Sequence, residues 1–419
     1  MSRCHFGTIK INTNSRTITD ILNDLLMIDI IVCLYIELIK CYSGIATYLN
    51  FIPDINNVMA ILLLFKSGKI SVHKKISSIS AIFFMAWIII SFPRSSFEIL
   101  VGYKRFRYIL FGLLAYYICV HYMTKYYWNR ILKILFITQI IHTILVVIQF
   151  AFIRTVPDMT NGVFGHLEYN NSAQGVFCLV MSMIGMEYYL KSTIAAKHSI
   201  AMIVMSCFTC ALAEIKAFYV LFVLGSALTL LFNKKDERTI KRCFKLMAIA
   251  AIGIVMALLL LLKIMPENLY AFTGIKNWAE YESYGNRLSG INMGRLNQMS
   301  FVFENIFECS YLKALVGKGV GASGDFAVYE MSHLFFNFGL IGLGTFLAFI
   351  AANAAELFAY RKKVPEAMIS MNMFVLTVPI MIMWNAPLNR MALLVFVILG
   401  IGAKGCFYMD RGIQEMKPI

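Results

Sequence analysis

Long apolar runs separated by short polar breaks set the pattern of this chain. Runs of roughly eighteen residues or more, enough to cross a bilayer core of about 30 Å, recur along its whole length. Lipid offers no water to a bare backbone, so each run must be a helix that satisfies its own hydrogen bonds. The pattern predicts about twelve helices. Their cores lie near 22–39, 44–65, 76–93, 107–123, 131–153, 171–190, 199–213, 217–232, 246–264, 331–355, 367–386 and 388–405. Asp24 and Asp29 interrupt the first, Pro53 and Asp54 interrupt the second, and the seventh is short. The expectation is an all-α polytopic membrane protein with about 12 transmembrane helices. Residues 1–419 form a single integral membrane domain, and 265–330 form one long extracytoplasmic loop.

Composition strengthens that reading. Hydrophobic residues make up 59% and charged residues 15% of the chain, with a mean hydropathy of +0.71. A soluble domain carries about 45–50% and about 25%. The net charge of +15 raises nucleic acid as a partner, but its distribution argues against it. Lys and Arg concentrate in short links at 66–75, 124–130, 191–198, 233–245 and 361–363, which alternate correctly to share one face. The positive-inside rule makes that face cytoplasmic and puts both termini there. The polar start MSRCHFGTIK has no small-residue cleavage site, so no removed signal peptide is expected. The ten cysteines are dispersed. Cys207 and Cys210 form a C-x-x-C inside an apolar run and read as small residues on one helix face. Cys309 alone falls in the long polar segment, which leaves no disulfide framework there.

On this assignment 24 of the 38 basic residues lie inside and 14 outside, among the latter Arg94, Lys104, Arg105, Arg107, Arg154, Lys216, Arg287, Arg295 and Arg390. Moving a cation outward works against the membrane potential at about 2.3 kcal/mol per charge per 100 mV. A cluster there suggests an anionic ligand at the outer surface. For Arg94, Lys104 and Arg105, anchoring to lipid head groups is an equal alternative.

Three outer stretches carry candidate chemistry. In RTVPDMTNGVFGHLEYNNSAQ (154–174), Gly162 and Gly165 permit tight turning, and Asn170, Asn171 and Ser172 can cap the next helix. His166 reads as an ordinary loop histidine. Ala213-Glu214-Ile215-Lys216 is a very short link that would hold its charges near membrane depth. From Asn297 to Val316, apolar residues Met299, Val302, Phe303, Ile306, Phe307 and Leu315 follow a helical period, predicting one amphipathic helix along the outer interface. Gly317, Gly319, Gly321 and Gly324 end it and turn the chain back to His333, on the first turn of the tenth helix. An imidazole at that position can act as a general base. GKGVGASG lacks P-loop spacing. No H-E-x-x-H or C-x-x-C pair offers metal ligands in the external loop and no G-x-S-x-G occurs, so neither a metal nor serine hydrolase chemistry is expected.

Together these pieces resemble the O-antigen polymerase and O-antigen ligase superfamily of bacterial envelope polysaccharide synthesis. Gly294-Arg295-Leu296 matches its arginine element and Gly319-Val320-Gly321 its turn. His333 with Asn337, Gly339, Gly342 and Gly344 matches its histidine helix, and Gly162 to Ala173 its earlier glycine-asparagine element. The chain departs from the pattern at Leu334, where asparagine is common, and at Lys216, where arginine is usual. The resemblance implies a GT-C-like glycosyltransferase architecture in the cell inner (cytoplasmic) membrane, with no cofactor. It implies transfer of a glycan from undecaprenyl diphosphate to a sugar hydroxyl on the outer face. A polymerase is the first reading, a ligase acting on lipid core or protein the nearest alternative, and a transporter of lipid-linked sugars the rival from another class. On this reading Arg295, Lys216, Arg287 and Arg154 hold the diphosphate, and His333 deprotonates or orients the acceptor. The implied partners are the undecaprenyl-diphosphate-linked oligosaccharide, membrane lipid, and a chain-length regulator and flippase of the same pathway.

Overall fold

The computed structural model describes residues 17–43, 46–67, 76–92, 99–156, 159–167, 170–232, 237–264, 298–322, 329–361, 364–384 and 391–410. These residues are helical, with no strand among them. In chain order the elements are α1 (Ile18–Tyr42), α2 (Ala46–Leu49), α3 (Phe51–Ser67), α4 (Ile76–Ser91), α5 (Ile99–His121) and α6 (Lys125–Ile148). They continue with α7 (Asn171–Lys191), α8 (Ala196–Leu212), α9 (Lys216–Phe232), α10 (Glu237–Ile264), α11 (Gln298–Phe301) and α12 (Tyr311–Val316). The last three are α13 (Glu330–Phe358), α14 (Pro365–Met383) and α15 (Ala392–Asp410).

Apart from the second, each expected apolar core overlaps one helix of at least 16 residues where it is described. Among the described residues four helices are long and apolar enough to cross a membrane: α6 extended to Ile153, α7, α13 and α14. The apolar helical stretches Ser77–Ser91, Arg107–His121, Ala196–Leu212, Lys216–Phe232 and Ala392–Ala403 are shorter. The second core is split. After the one-turn α2 the chain restarts at Phe51, which puts Pro53 in the first turn of α3, where its missing N–H removes no helical bond. At α1, Thr17 and Asp20 close a capping box.

The helices bury one another unevenly. The apolar window of α7 is 94% buried and that of α6 33%, so α7 is the central post and α6 lies at the rim. On α6, Ile137, Ile140, Ile144 and Ile148 point outward, and on α3 Ile55, Val58, Leu62 and Phe65 do the same. An apolar stripe on the outer face reverses the pattern of a water-soluble helix and suits a lipid surround. Helices α5 and α15 come close because glycine sits at their contact. A Cβ on Gly112 would lie 2.6 Å from the Phe396 ring, and one on Gly400 2.9 Å from the Tyr116 carbonyl oxygen.

Polar bonds sort the helix ends. Asn23 Nδ2 donates to the Tyr122 carbonyl at 2.9 Å. Trp128 Nε1 donates to Tyr188 Oη, which donates to Glu366 Oε1, both at 2.8 Å. Arg242 reaches the Leu190 carbonyl at 3.1 Å, and Ser77 Oγ reaches Glu356 Oε2 at 2.7 Å. These bonds gather at one end the helix termini that border the five cationic links. The candidate chemistry lies at the opposite end.

Candidate functional site

At that opposite end α13 is broken. Gly339 has φ 67° and ψ −168°, which separates a buried half-helix, 330–338, from the remainder, 340–358. Three carbonyls at the break find donors outside the helix. Lys318 N–H donates to Phe336 O and Gly319 N–H to Asn337 O, both at 2.9 Å. The Trp87 indole donates to Phe338 O at 2.8 Å. The glycine turn therefore docks backbone to backbone on the break. A Cβ on Gly317 would stand 2.5 Å from Gly339 N and 2.6 Å from the Asn337 carbonyl. His333 lies in the first turn of this half-helix, 2% exposed, with its N–H donated to Tyr329 O at 3.0 Å. Beside it Glu330 is buried, and Ser332 Oγ donates to Gln298 Oε1 at 2.7 Å.

Lys216 opens α9 after a tight turn in which Glu214 takes φ 52°. It shares its end of the bundle with His333 through Trp384. A Cβ on Gly175 would touch the Trp384 ring at 2.7 Å and Ile215 at 3.2 Å, and Glu330 N–H donates to Trp384 O at 3.2 Å. Arg154 closes the π-helical turn Gln149–Ile153 in a left-handed conformation and is exposed. Arg287 and Arg295 lie outside the described residues, as do Arg94, Arg390 and the side chains of Lys104 and Arg105.

Two expectations are corrected. Asn170 stands at the N-cap of α7 without capping it. Its carboxamide instead donates to the Phe164 carbonyl, joining Gln149 and His142 in pinning the 162–165 turn. Of the stretch 297–316, the described residues 298–316 form two helical pieces rather than one. Glu308 and Cys309 both adopt positive φ, and Ser310 caps a fresh helix by accepting from Lys313 N–H. The break also reorients Leu315, which faces out, whereas Val302, Phe307 and Ala314 pack on Phe335 and Phe336. In the link, Glu308 bonds Lys313 at 2.5 Å, and the ammonium holds its carboxyl below the usual range.

The open space at this end lies around an arginine that the sequence lists only as one outer cation among many. A cavity of about 60 Å³ is bounded by Asp29, Glu37, Asn57, Arg107, Tyr108 and Phe164, among others. A larger groove of about 490 Å³ is lined mainly by apolar side chains such as Val58, Ile61, Ile89, Phe92 and Leu110, with Asp54, Asn57, Tyr103 and Arg107 as its polar members. Asn57, Arg107 and Phe111 border both. Arg107 Nη1 contacts Asp54 Oδ2 at 3.0 Å, Tyr103 Oη donates to Asp54 Oδ1 at 2.9 Å, and the guanidinium lies 5.0 Å from the Tyr108 ring centre. Arg107 Nε–H is buried with no acceptor among the described residues. A buried unmet donor costs about 1–3 kcal/mol, and a ligand oxygen would relieve it. Arg154, Lys216 and His333 border neither space. The available signal was charge in or at the edge of apolar runs: Asp29 and Asp54 each interrupt one and Arg107 opens another, and such residues are functional candidates.

Among the described residues no group of three or more His, Cys, Asp or Glu could hold a metal ion. No model of a known family matches the chain, and no curated protein does either.

Proposed function

We propose that this chain is a membrane glycosyltransferase that takes a glycan from a polyprenyl diphosphate and passes it to a sugar hydroxyl at the outer face, as a repeat-unit polymerase. The observation that carries the reading is the position of Arg107, between a small, mostly apolar cavity that Asp29 and Glu37 also border and a largely apolar groove, with one buried N–H lacking an acceptor among the described residues. An amphiphile with an anionic head and a long apolar tail fits that arrangement. Its tail would lie along Val58, Ile61, Ile89 and Leu110, and a phosphate oxygen would meet Arg107.

Asp54 already neutralises Arg107, so the developing charge of a diphosphate leaving group needs further cations. Lys216, Arg295 and Arg287 fill that role in this proposal, with Arg154 at the periphery. His333 acts as the base on the acceptor hydroxyl, supported by its match to the family's histidine helix and its place at the same end as Lys216. The twelve helices would all span the inner membrane, with the cationic links and both termini in the cytoplasm.

The test is reconstitution in vesicles with an undecaprenyl-diphosphate-linked oligosaccharide, read as a ladder of glycan lengths. His333→Ala should abolish the ladder while substrate still binds, and Arg107→Gln should raise KM. An undiminished ladder in His333→Ala removes the assigned base, and no ladder from the native chain removes the polymerase reading.

A further inference from the structure

The 298–316 segment gives its apolar residues two different surroundings. Up to Phe307 they face the protein: Val302 and Phe307 are buried in one cluster with Phe335 and Phe336, while Glu304 and Asn305 point out. The break at Glu308 and Cys309 then turns the chain. On α12 Ala314 faces inward, whereas Tyr311, Leu312 and Leu315 are 79%, 70% and 43% exposed. Leu315 lies four residues from Tyr311 and three from Leu312, so the three side chains share one helix face. Lys313 is drawn aside by Glu308. Tyr311 and Leu312 stand outside the apolar stripe that periodicity assigns to this segment.

The level of that face in the bundle says what covers it. The part of α13 beyond the break, 340–358, has 19 residues. At about 1.5 Å per residue it is roughly 28 Å long, close to a hydrocarbon core of about 30 Å. Its neighbour α4 meets it through Ser77 and Glu356 at the end that borders the cationic links. At the other end α4 stops at Ser91, whose carbonyl accepts from Val320 N–H in the glycine turn at 3.4 Å. Both helices therefore finish at the turn, which marks the edge of the hydrocarbon. Helix α12 runs directly into that turn, and its exposed face continues the outward apolar surface of the bundle. The Leu315 carbonyl lies against Gly339, the next residue Leu340 is exposed, and so are Ile89 and Ile90 just before Ser91. A tyrosine beside two leucines at a bilayer edge has the make-up of an interfacial anchor.

We propose that α12 dips Tyr311, Leu312 and Leu315 among the acyl chains of the adjoining leaflet, while Glu304 and Asn305 stay in water. The glycine turn, and with it the His333 half-helix on which the turn docks, is thereby tied to the membrane surface. The inference needs the membrane reading of the helices alone, so a failed polymerase assay would leave it standing. A nitroxide spin label on Leu312→Cys or Glu304→Cys tests it, each in a Cys309→Ser background that removes an exposed thiol. Power saturation of the full chain in phosphatidylcholine nanodiscs compares collisions with lipid-soluble oxygen and with a water-soluble nickel chelate. Both labelled positions are exposed, so the label leaves the core intact. The 312 label should collide mainly with oxygen, at a depth of about 5–10 Å into the boundary between head groups and acyl chains. The 304 label should collide mainly with the chelate. A 312 label that meets mainly the chelate overturns the anchor. One shielded from both overturns it too, because protein, from a second copy or another segment of this chain, would then cover the face. A 304 label in lipid overturns the division between the two pieces.

Discussion

Replacing Gly339 by alanine should be among the most damaging single-methyl changes in the chain, and the structure lets its size be worked out. At φ 67° and ψ −168° the residue occupies backbone space that is nearly glycine-only, at a cost of about 1–3 kcal/mol for any other residue. The new Cβ would also fall on the Leu315 carbonyl and crowd Gly317 N at 2.6 Å. Relieving that clash pushes the turn away and breaks the Lys318–Phe336 and Gly319–Asn337 backbone bonds, each worth about 0.5–1.5 kcal/mol. The sum is roughly 2–6 kcal/mol. Gly344 is the internal control: it is helical and a Cβ there meets nothing within 4 Å, so alanine should stabilise by about 0.5–1 kcal/mol. Thermal unfolding of the two variants in one detergent at one scan rate compares them, with Trp87 emission reporting locally because its indole bonds the Phe338 carbonyl. If Gly339→Ala melts with Gly344→Ala, the docked break does not hold the half-helix.

Further outcomes follow from other contacts. Gly317→Ala should fail in the same way as Gly339→Ala, since its Cβ would meet the Asn337 carbonyl at 2.6 Å; protease sensitivity of the 311–322 stretch measures it. Arg107→Lys keeps the charge but loses the fork between Asp54 and Tyr108, so prenyl diphosphate affinity, measured by titration in nanodiscs, should drop about tenfold. Glu308 has a folded pKa below its ordinary value, so its pairing with Lys313 helps above the usual carboxylate range and fades as pH falls through the lowered pKa. The pair is exposed, and Glu308→Gln should leave the melting temperature unchanged at pH 7 in physiological salt.

The helices were legible because lipid imposes one rule on every buried run, and that rule depends on length and apolarity alone. The glycine turn before His333 was legible too, because three glycines within five residues have few other uses. What the turn docks on was not. Gly339 reads like Gly342 and Gly344 in sequence, and only the packing of residues 315–319 separates a backbone break from two helical glycines. The periodicity of 297–316 misled for a similar reason: Ser310 can cap a helix as readily as sit inside one, and the choice depends on burial of Phe307 against Phe335. Asp29 and Arg107 were visible as charges, but their partners lie 27 and 53 positions away in the chain. No local pattern reports such distances.

The two polar layers at this end also sort their residues by task. Lys216, Glu330 and His333 sit in the first turns of α9 and α13, where the proposal puts the acceptor. Asp54 and Arg107 sit within helices, 3 and 8 residues from the starts of α3 and α5 at Phe51 and Ile99, and Asp29 lies 13 residues before the end of α1 at Tyr42. A rise of about 1.5 Å per residue puts Arg107 roughly 12 Å inside the end of α5. A charge at that depth is costly unless it is paired, and Asp54, Tyr103 and Tyr108 supply the pairing. Stability alone would be better served by apolar residues of like size. That this cluster also borders a lateral groove argues that the charge is kept for a ligand entering from the lipid side. Replacing Asp54 and Arg107 together by Leu and Met should therefore leave folding intact and abolish prenyl diphosphate binding; unfolding of the double variant would assign the pair to structure instead.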